Sequence, residues 1–110
     1  MEKVRLDRYL WATRFYKTRS LSTDACKRNW VSVNDLVAKP SKEVRLGDII
    51  KLKKSSYYRS LKIKTLLDKR VGASKIEDYI EDITPPEEIE KEREHNQNRK
   101  FFNLSTAHKG

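Results

Sequence analysis

A chain of 110 residues with 36% hydrophobic and 37% charged residues can form one small domain with a thin core. Its net charge of +9 lies in the first part: residues 1–70 carry 19 Lys and Arg against 7 Asp and Glu, and residues 71–110 carry 6 against 9. This distribution favours a polyanionic partner, nucleic acid first, over a merely solubilising surface. No apolar run is long enough to span a bilayer, and charged residues follow Met1 directly, so neither a membrane anchor nor a secretory signal is expected.

The single cysteine, Cys26, cannot form a disulfide within the chain, which is typical of proteins in a reducing compartment. The two histidines, His95 and His108, lie far along the chain. Cys26 is therefore expected to pack as a small apolar residue rather than to act as a nucleophile. A cytoplasmic location is the corresponding expectation.

Residues 5–15 are predicted to form a helix, because side chains suited to a buried face recur at i, i+3, i+4 and i+7: Leu6, Tyr9, Leu10 and Thr13. Leu6 and Leu10 are the firm core positions. Asp7 stands in the first turn, where an acid either caps the helix or interacts with its dipole. Trp11 lies on another face, and burial is favoured there over a role as a stacking surface for bases.

A second helix is predicted over residues 21–28, after a break at residues 16–19. Thr18 or Ser20 can cap its N-terminus, and Asn29 tolerates the positive φ that often follows a helix C-terminus. The apolar side of this helix is expected to contain Leu21, Ala25 and Cys26.

The pattern then changes to period two, which predicts a small antiparallel sheet. Val31 and Val33 alternate with polar residues in the first strand, and Asn34-Asp35 can form a tight turn because both residues tolerate positive φ. Gly47-Asp48 marks a second turn. The remaining predicted strand segments are residues 36–38, 44–46, 49–53 and 57–67.

A third helix is predicted over residues 74–83. Ser74 and Glu77 have the spacing of a capping box, and an apolar stripe follows at helical spacing: Ile76, Tyr79, Ile80 and Ile83. Pro85-Pro86 ends this helix, and a further polar helix is expected over residues 87–94. The polar sequence from residue 96 onward is expected to be flexible.

The order of several short motifs resembles a known family. The motifs are RLD at residues 5–7, the helix junction at 18–20, VSVN at 31–34, KPS at 39–41 and GD at 47–48. Together they resemble the RNA-binding domain of ribosomal protein S-four, also called the alpha-L motif. The stretches RLDRYLWATRFYKTRSL and KPSK are most similar to the ribosome-associated heat shock protein 15 family.

This resemblance, which covers residues 4–70, implies an α+β fold. Two N-terminal helices would pack on a small twisted, mostly antiparallel sheet, and a C-terminal helical region would follow. The chain then divides into an S-four-type RNA-binding domain over residues 1–70, a helical extension over 71–95 and a tail over 96–110.

Two positions depart from the family pattern. The family usually has Gly near the end of the second helix and Asn-Gly at the hairpin turn, whereas this chain has Asn29-Trp30 and Asn34-Asp35. The new residues still tolerate positive φ, so the fold is expected to survive. Trp30 adds an aromatic ring, for which a lid over the core is favoured over a base stacker.

The resemblance also implies which residues face RNA, because the helix junction and the adjacent hairpin do so in the family. On the helix side these are Arg5, Arg8, Arg14, Lys17, Thr18, Arg19, Ser20, Lys27 and Arg28, and on the sheet side Lys39 and Lys42. Lys and Arg neutralise phosphates, and Ser and Thr hydroxyls bind phosphate oxygens. The less favoured alternative is a solvated basic surface without a ligand.

No enzyme, cofactor or metal is expected. The sequence has no Gly-rich phosphate loop and no Cys/His metal spacing, and the acids at residues 77–82 fit a solvated helix face better than acid–base chemistry. A monomeric, non-enzymatic protein is expected, and the resemblance implies that it binds rRNA of the free large ribosomal subunit carrying a nascent chain on tRNA. Its role would be rescue or recycling under stress, with non-specific DNA binding as a side property and no membrane partner. The alternatives are a generic structured-RNA binder, a ribosome-assembly factor and, less favoured, a protein-interaction scaffold.

Overall fold

The structure is a computed structural model that describes residues 2–54 and 56–93. Its elements in chain order are β1 Val4–Arg5, α1 Leu6–Ala12, α2 Arg19–Lys27, β2 Val31–Val33, β3 Leu36–Val37, β4 Glu43–Val44, β5 Ile49–Lys54, β6 Tyr57–Ile63, a 3-10 helix Ala73–Asp78 and β7 Ile80–Asp82. Residues 86–93 are helical as well. The predicted α+β class is confirmed.

The main sheet is antiparallel, with the strand order β3-β2-β5-β6-β7, and β1 pairs with β4 in a separate ribbon. The β2–β3 hairpin turns at Asn34 (φ 51°) and Asp35 (φ 70°), as the sequence predicts. Alternate residues of the strands are buried, and the hydrophobic core combines them with residues of α1. The fully buried apolar side chains include Leu6, Tyr9, Leu10, Val31, Ile50, Leu52 and Leu61.

The first helix is shorter than the predicted span of residues 5–15, because the backbone leaves the helical conformation after Ala12. Arg14 adopts a left-handed conformation (φ 68°), and the next amide, of Phe15, donates to the Leu10 carbonyl at 2.9 Å. This is a Schellman motif, in which glycine usually occupies the left-handed position. A non-glycine residue there costs about 1–2 kcal/mol, so Arg14 is held under local strain at the junction.

The second helix, Arg19–Lys27, begins two residues before the predicted span of 21–28 and ends one residue before its end, and one of the two candidate caps is used. Thr18 is its N-cap, because the Thr18 hydroxyl accepts a hydrogen bond from the amide of Leu21 at 3.1 Å. Asn29 supplies the positive φ (63°) at the other end, and the amide of Trp30 donates to the Ala25 carbonyl at 3.1 Å. This second Schellman motif fixes the direction in which the chain enters β2.

The buried side of α2 differs from the prediction at one position. Leu21 is 51% exposed, and the small residue Ser22 is buried in its stead, with its hydroxyl donating to the Asp7 carbonyl at 2.8 Å. Small side chains let the two helices approach closely. Cys26 is buried as predicted, and burial, aided by the charge of Asp7, raises the pKa of its thiol to about 12. The thiol is therefore protonated at neutral pH and has no nucleophilic character.

The predicted helix over residues 74–83 is wrong. Residues Ala73–Asp78 form a 3-10 helix with no buried residue, Gly72 is its N-cap without a side-chain hydrogen bond, and Ile80–Asp82 form β7. β7 pairs with β6, and Ile80, opposite Ile63, joins the core. The free edge of β6 needs partners for its backbone groups, and this requirement overrides the helical spacing of the isoleucines.

The chain beyond β7 continues to satisfy the edge of β6 with side chains. The Thr84 hydroxyl accepts a hydrogen bond from the amide of Ser60 at 3.0 Å, and the Glu88 carboxylate accepts one from the amide of Tyr58 at 2.7 Å. The polar helix predicted over residues 87–94 is confirmed as far as residue 93. Residue 94 and the predicted tail lie outside the described residues. Across the described part of the chain, no helix has the length and hydropathy to cross a membrane.

Candidate nucleic-acid interface

The eleven residues assigned to RNA contact lie on α1 and α2, at the caps Arg5 and Arg28, in the junction between the helices and in the loop after β3, and we call them the basic surface. All are exposed except Arg19, which is half-buried. The structure arranges them in three groups: one around the start of α1, one at the junction, and one at the end of α2.

A buried carboxylate organises the first group. Asp7 is 1% exposed and accepts hydrogen bonds from Arg5 Nε and Nη2 (3.1 and 3.0 Å), Thr23 Oγ1 (3.0 Å) and Arg19 Nη2 (3.3 Å). Burial acts to raise the pKa of Asp7, but the hydrogen bonds from Arg5 and Thr23 and the charge of Arg19 hold it below its ordinary value. Asp7 lies in the first turn of α1 as expected, yet it makes no cap; its ionised side chain orients two arginines instead.

The loop after β3 adds the two sheet-side lysines to the same group. The amide of Leu6 donates to the Lys42 carbonyl at 2.7 Å, and the amide of Asp7 donates to the Pro40 carbonyl at 3.2 Å. These bonds fix the loop against the first turn of α1. Lys39 and Lys42 are therefore anchored next to Arg5, although the chain separates them from it by more than thirty residues.

The junction between the helices is held by a residue that the sequence did not single out. Arg70 Nη1 donates to the carbonyls of Trp11 (3.1 Å), Tyr16 (3.1 Å) and Lys17 (3.2 Å), and its guanidinium lies 5.8 Å from the centre of the Trp11 ring. The Trp11 carbonyl lies in the last turn of α1, where a cation also interacts favourably with the helix dipole, and the other two carbonyls lie in the junction outside either helix. Arg70 thus fixes the backbone that displays Lys17 and Thr18.

Two cations of the basic surface contact the segment that contains Arg70. Arg8 Nη1 donates to the Asp68 carbonyl at 3.4 Å, and Arg14 Nη1 donates to the Val71 carbonyl at 3.2 Å. Each bond uses one of the five guanidinium N–H groups, so both residues retain donors for a phosphate. The aromatic residues of the junction, Phe15 and Tyr16, pack against the core.

The third group lies at the end of α2, one helix length from the first. Lys27 is exposed in the last turn, and Arg28 forms an ion pair with Asp24 at 2.7 Å. The Arg28 guanidinium also lies 5.2 Å from the centre of the Trp30 ring. Trp30 is 40% exposed and does not belong to the hydrophobic core, so the prediction of a core lid is wrong. Trp11 is half-buried against the core, as favoured.

Sequence patterns identify the cations of the surface but not the residues that position them. Asp7, Thr23 and Arg70 act through contacts between residues 12 to 59 positions apart, and no local spacing indicates them. A weak signal exists for Asp7, because it is an acid flanked by the core positions Leu6 and Leu10. No group of three potential metal ligands occurs among the described residues.

Comparison with known proteins identifies the fold. The S4 domain family matches residues 4–50. Heat shock protein 15 of Escherichia coli is 34% identical over 106 residues, which cover 96% of this chain and 78% of that protein. A heat shock protein 15 homolog of Haemophilus influenzae is 43% identical over 72 residues, but that match spans only 55% of its length.

Two further similarities come from a differently named protein and from a solved structure. The RQC P-site tRNA stabilizing factor of Helicobacter pylori is 42% identical over 66 residues, which cover 57% of this chain and 79% of that protein. A trimeric structure of heat shock protein 15 from Vibrio cholerae superimposes with a TM-score of 0.75 at 35% identity, covering 91% of this chain and 99% of that one. The chain thus belongs to the heat shock protein 15 family and carries an S4-type RNA-binding domain.

Proposed function

We propose that this protein is a non-enzymatic RNA-binding protein of the cytoplasm. Its target is rRNA of the free large ribosomal subunit that still carries a nascent chain on tRNA, and its role is ribosome rescue or recycling under stress. The observation that carries RNA binding is the rigid display of the basic surface around Asp7 and Arg70. The ribosomal target is supported by the names of the relatives, a heat shock protein 15 and a P-site tRNA stabilizing factor.

Rigidity matters because structured RNA is recognised largely by shape and backbone. Arg5 and Arg19 share one buried carboxylate, so their guanidinium groups are oriented before RNA arrives. Less side-chain entropy is then lost on binding. A loosely held basic surface would coat any RNA or DNA in proportion to its phosphates, which is the behaviour of a generic binder.

Cosedimentation with ribosomal particles tests the target. The tagged protein is mixed at physiological salt with free large subunits that retain peptidyl-tRNA, with empty large subunits, and with small subunits. The expected order of retention is the first above the second, with little on the third. Equal retention on all particles and on bulk RNA supports the generic binder instead, and retention on immature particles alone supports an assembly factor.

A charge-removal experiment tests whether the basic surface makes the contacts. The double variant Lys17→Gln/Lys27→Gln removes two exposed cations that form no ion pair among the described residues. The slope of log affinity for a structured RNA against log salt should become shallower by ~1.4–1.8, at ~0.7–0.9 for each lost phosphate contact. The control Lys62→Gln/Lys75→Gln removes the same charge from β6 and the 3-10 helix and should leave the slope unchanged. If the salt slope of Lys17→Gln/Lys27→Gln changes no more than that of the control, the assignment of the basic surface to RNA contact is contradicted.

Oligomeric state and domain division remain predictions. A monomer is expected from the sequence, whereas the structure from Vibrio cholerae is trimeric. Sedimentation velocity of the free protein and of its RNA complex distinguishes the two states. For the predicted tail, limited proteolysis should release the residues from 96 onward first.

A further inference from the structure

Trp30 is an exposed ring on an unusually well-fixed backbone. Its amide donates to the Ala25 carbonyl at 3.1 Å in the Schellman motif of α2, and its carbonyl accepts a hydrogen bond from the amide of Lys53 at 2.8 Å. Both polar backbone groups are therefore satisfied, one by a helix and one by β5. The indole side chain projects from this anchored position and is 40% exposed.

One side of the ring is already occupied by a cation. The Arg28 guanidinium lies 5.2 Å from the ring centre, and the Asp24 carboxylate holds that guanidinium at 2.7 Å. Asp24, Arg28 and Trp30 thus form a chain of contacts: the Asp24 carboxylate orients the Arg28 guanidinium, and the guanidinium makes a cation–π contact with the Trp30 ring. Such support limits the rotamers of the indole and prepares its exposed surface for a planar partner.

The surroundings of the ring favour a nucleotide over an apolar partner. Lys27 and Arg28 precede Trp30 on α2, and Lys53, whose backbone bonds to Trp30, is exposed on β5. An unpaired base joins a flat aromatic face to a phosphate, and the site presents an aromatic ring among cations. Paired bases present no free face except at the end of a stack, so a duplex offers the ring only its terminal pairs, whereas a single-stranded segment offers every base.

We propose that Trp30 is a stacking platform for one unpaired RNA base next to the structured RNA held by the basic surface. This inference rests on the proposed RNA-binding function and extends it to a defined subsite. Arg28 and Asp24 are positioning residues for the ring, and Lys27 and Lys53 neutralise the phosphates that flank the base. The remaining cations of the basic surface hold the adjoining stem.

Two hairpin RNAs with the same stem and the same compact tetraloop, one blunt and one with a short single-stranded 3′ overhang, test the proposal, because they differ only in the unpaired bases next to the stem. The background variant Trp11→Phe leaves Trp30 as the only tryptophan, since the chain has two. The overhang RNA should quench the fluorescence of Trp30 more strongly than the blunt RNA. In the otherwise native chain, Trp30→Ala should weaken binding to the overhang RNA ~5- to 150-fold, the range expected for one stacked base.

Two matched variants separate stacking from charge and from folding. Trp30→Phe retains a ring and should keep most of the affinity for the overhang RNA. Trp30→Ala should leave the salt slope unchanged because indole neutralises no phosphate, whereas Lys27→Gln should make it shallower by ~0.7–0.9. Thermal unfolding followed by circular dichroism establishes that each variant is folded.

The proposal is overturned if folded Trp30→Ala binds the overhang RNA like the native chain, or loses equal affinity for both hairpins. It is also overturned if Trp30→Ala changes the sedimentation mass of the free protein, which would make the ring a contact between copies. Failure of the underlying function looks different, because the native chain would then bind neither hairpin nor the large subunit.

Discussion

Replacing Asp7 by Ala should destabilise the protein more than replacing any other acid that pairs with an arginine of the basic surface. The carboxylate is 1% exposed and accepts hydrogen bonds from Arg5, Arg19 and Thr23. Its removal leaves two guanidinium groups beside each other at the interface of α1 and α2. The repulsion between them and the loss of the shared acceptor act together on the packing of the two helices.

The size of the effect follows from the exposure of the partners. Removing one partner of a fully buried ion pair costs ~3–5 kcal/mol. The side chain of Arg5 is 50% exposed and that of Arg19 is 36% exposed, so both can turn toward water and recover part of the cost. We therefore expect Asp7→Ala to lower the free energy of unfolding by ~2–3 kcal/mol, and Tm by ~8–24 °C, at ~4–8 °C per kcal/mol.

Urea and thermal unfolding followed by circular dichroism provide the measurement. Asp24→Ala is the matched control, because Asp24 is also an acid that binds an arginine of this surface but is exposed. It should cost only ~0.3–0.5 kcal/mol. If Asp7→Ala unfolds like Asp24→Ala, the shared carboxylate does not hold the helix pair and the reasoning is refuted.

The pH dependence supplies an independent check with Asp7→Asn, which keeps the size of the side chain but not its charge. The pKa of Asp7 is lowered in the folded protein, so the native carboxylate contributes fully above the unfolded-state pKa of about 3.9. The stability difference between native chain and variant should be constant near neutral pH. It should disappear as the pH falls through the lowered folded-state pKa.

Two further substitutions test the junction. Arg70→Ala should lower the free energy of unfolding by ~1–2 kcal/mol and speed amide exchange in residues 13–18, because three carbonyls lose one charged donor. Arg8→Ala, which removes one exposed hydrogen bond, should lower it by at most ~0.5 kcal/mol. Equal losses in the two variants would contradict the role of Arg70. Arg14→Gly should raise stability by ~0.5–1 kcal/mol by relieving the positive φ, yet weaken RNA binding. Arg14→Ala should weaken RNA binding equally but without the gain in stability. If Arg14→Gly is less stable than the native chain, Arg14 is not strained.

Local rules were sufficient at several helix ends and turns, though not at the end of α1 or at the predicted capping box of residues 74–77. Thr18, one of two candidate caps, caps α2, and Asn29 ends it and Asn34-Asp35 turns the hairpin as the sequence predicts. These outcomes depend on side-chain bonds to adjacent amides and on tolerance of positive φ, which a few residues decide. Leu6 and Leu10 are buried for a similar reason, since the spacing of apolar residues determines which side of a helix faces the core.

Only the tertiary structure decided the features in which a residue bonds to a group far away in the chain. Residues 80–82 form a strand because β6 offers an open edge, although Ile76, Ile80 and Ile83 have helical spacing. Asp7 orients two arginines, and Arg70 binds three carbonyls, across separations in the chain that no periodicity describes. Trp30 points outward because α2 and β5 together bond its backbone. A buried charge, an unpaired carbonyl and an open strand edge each cost free energy until a partner is found, and the fold alone brings that partner within reach.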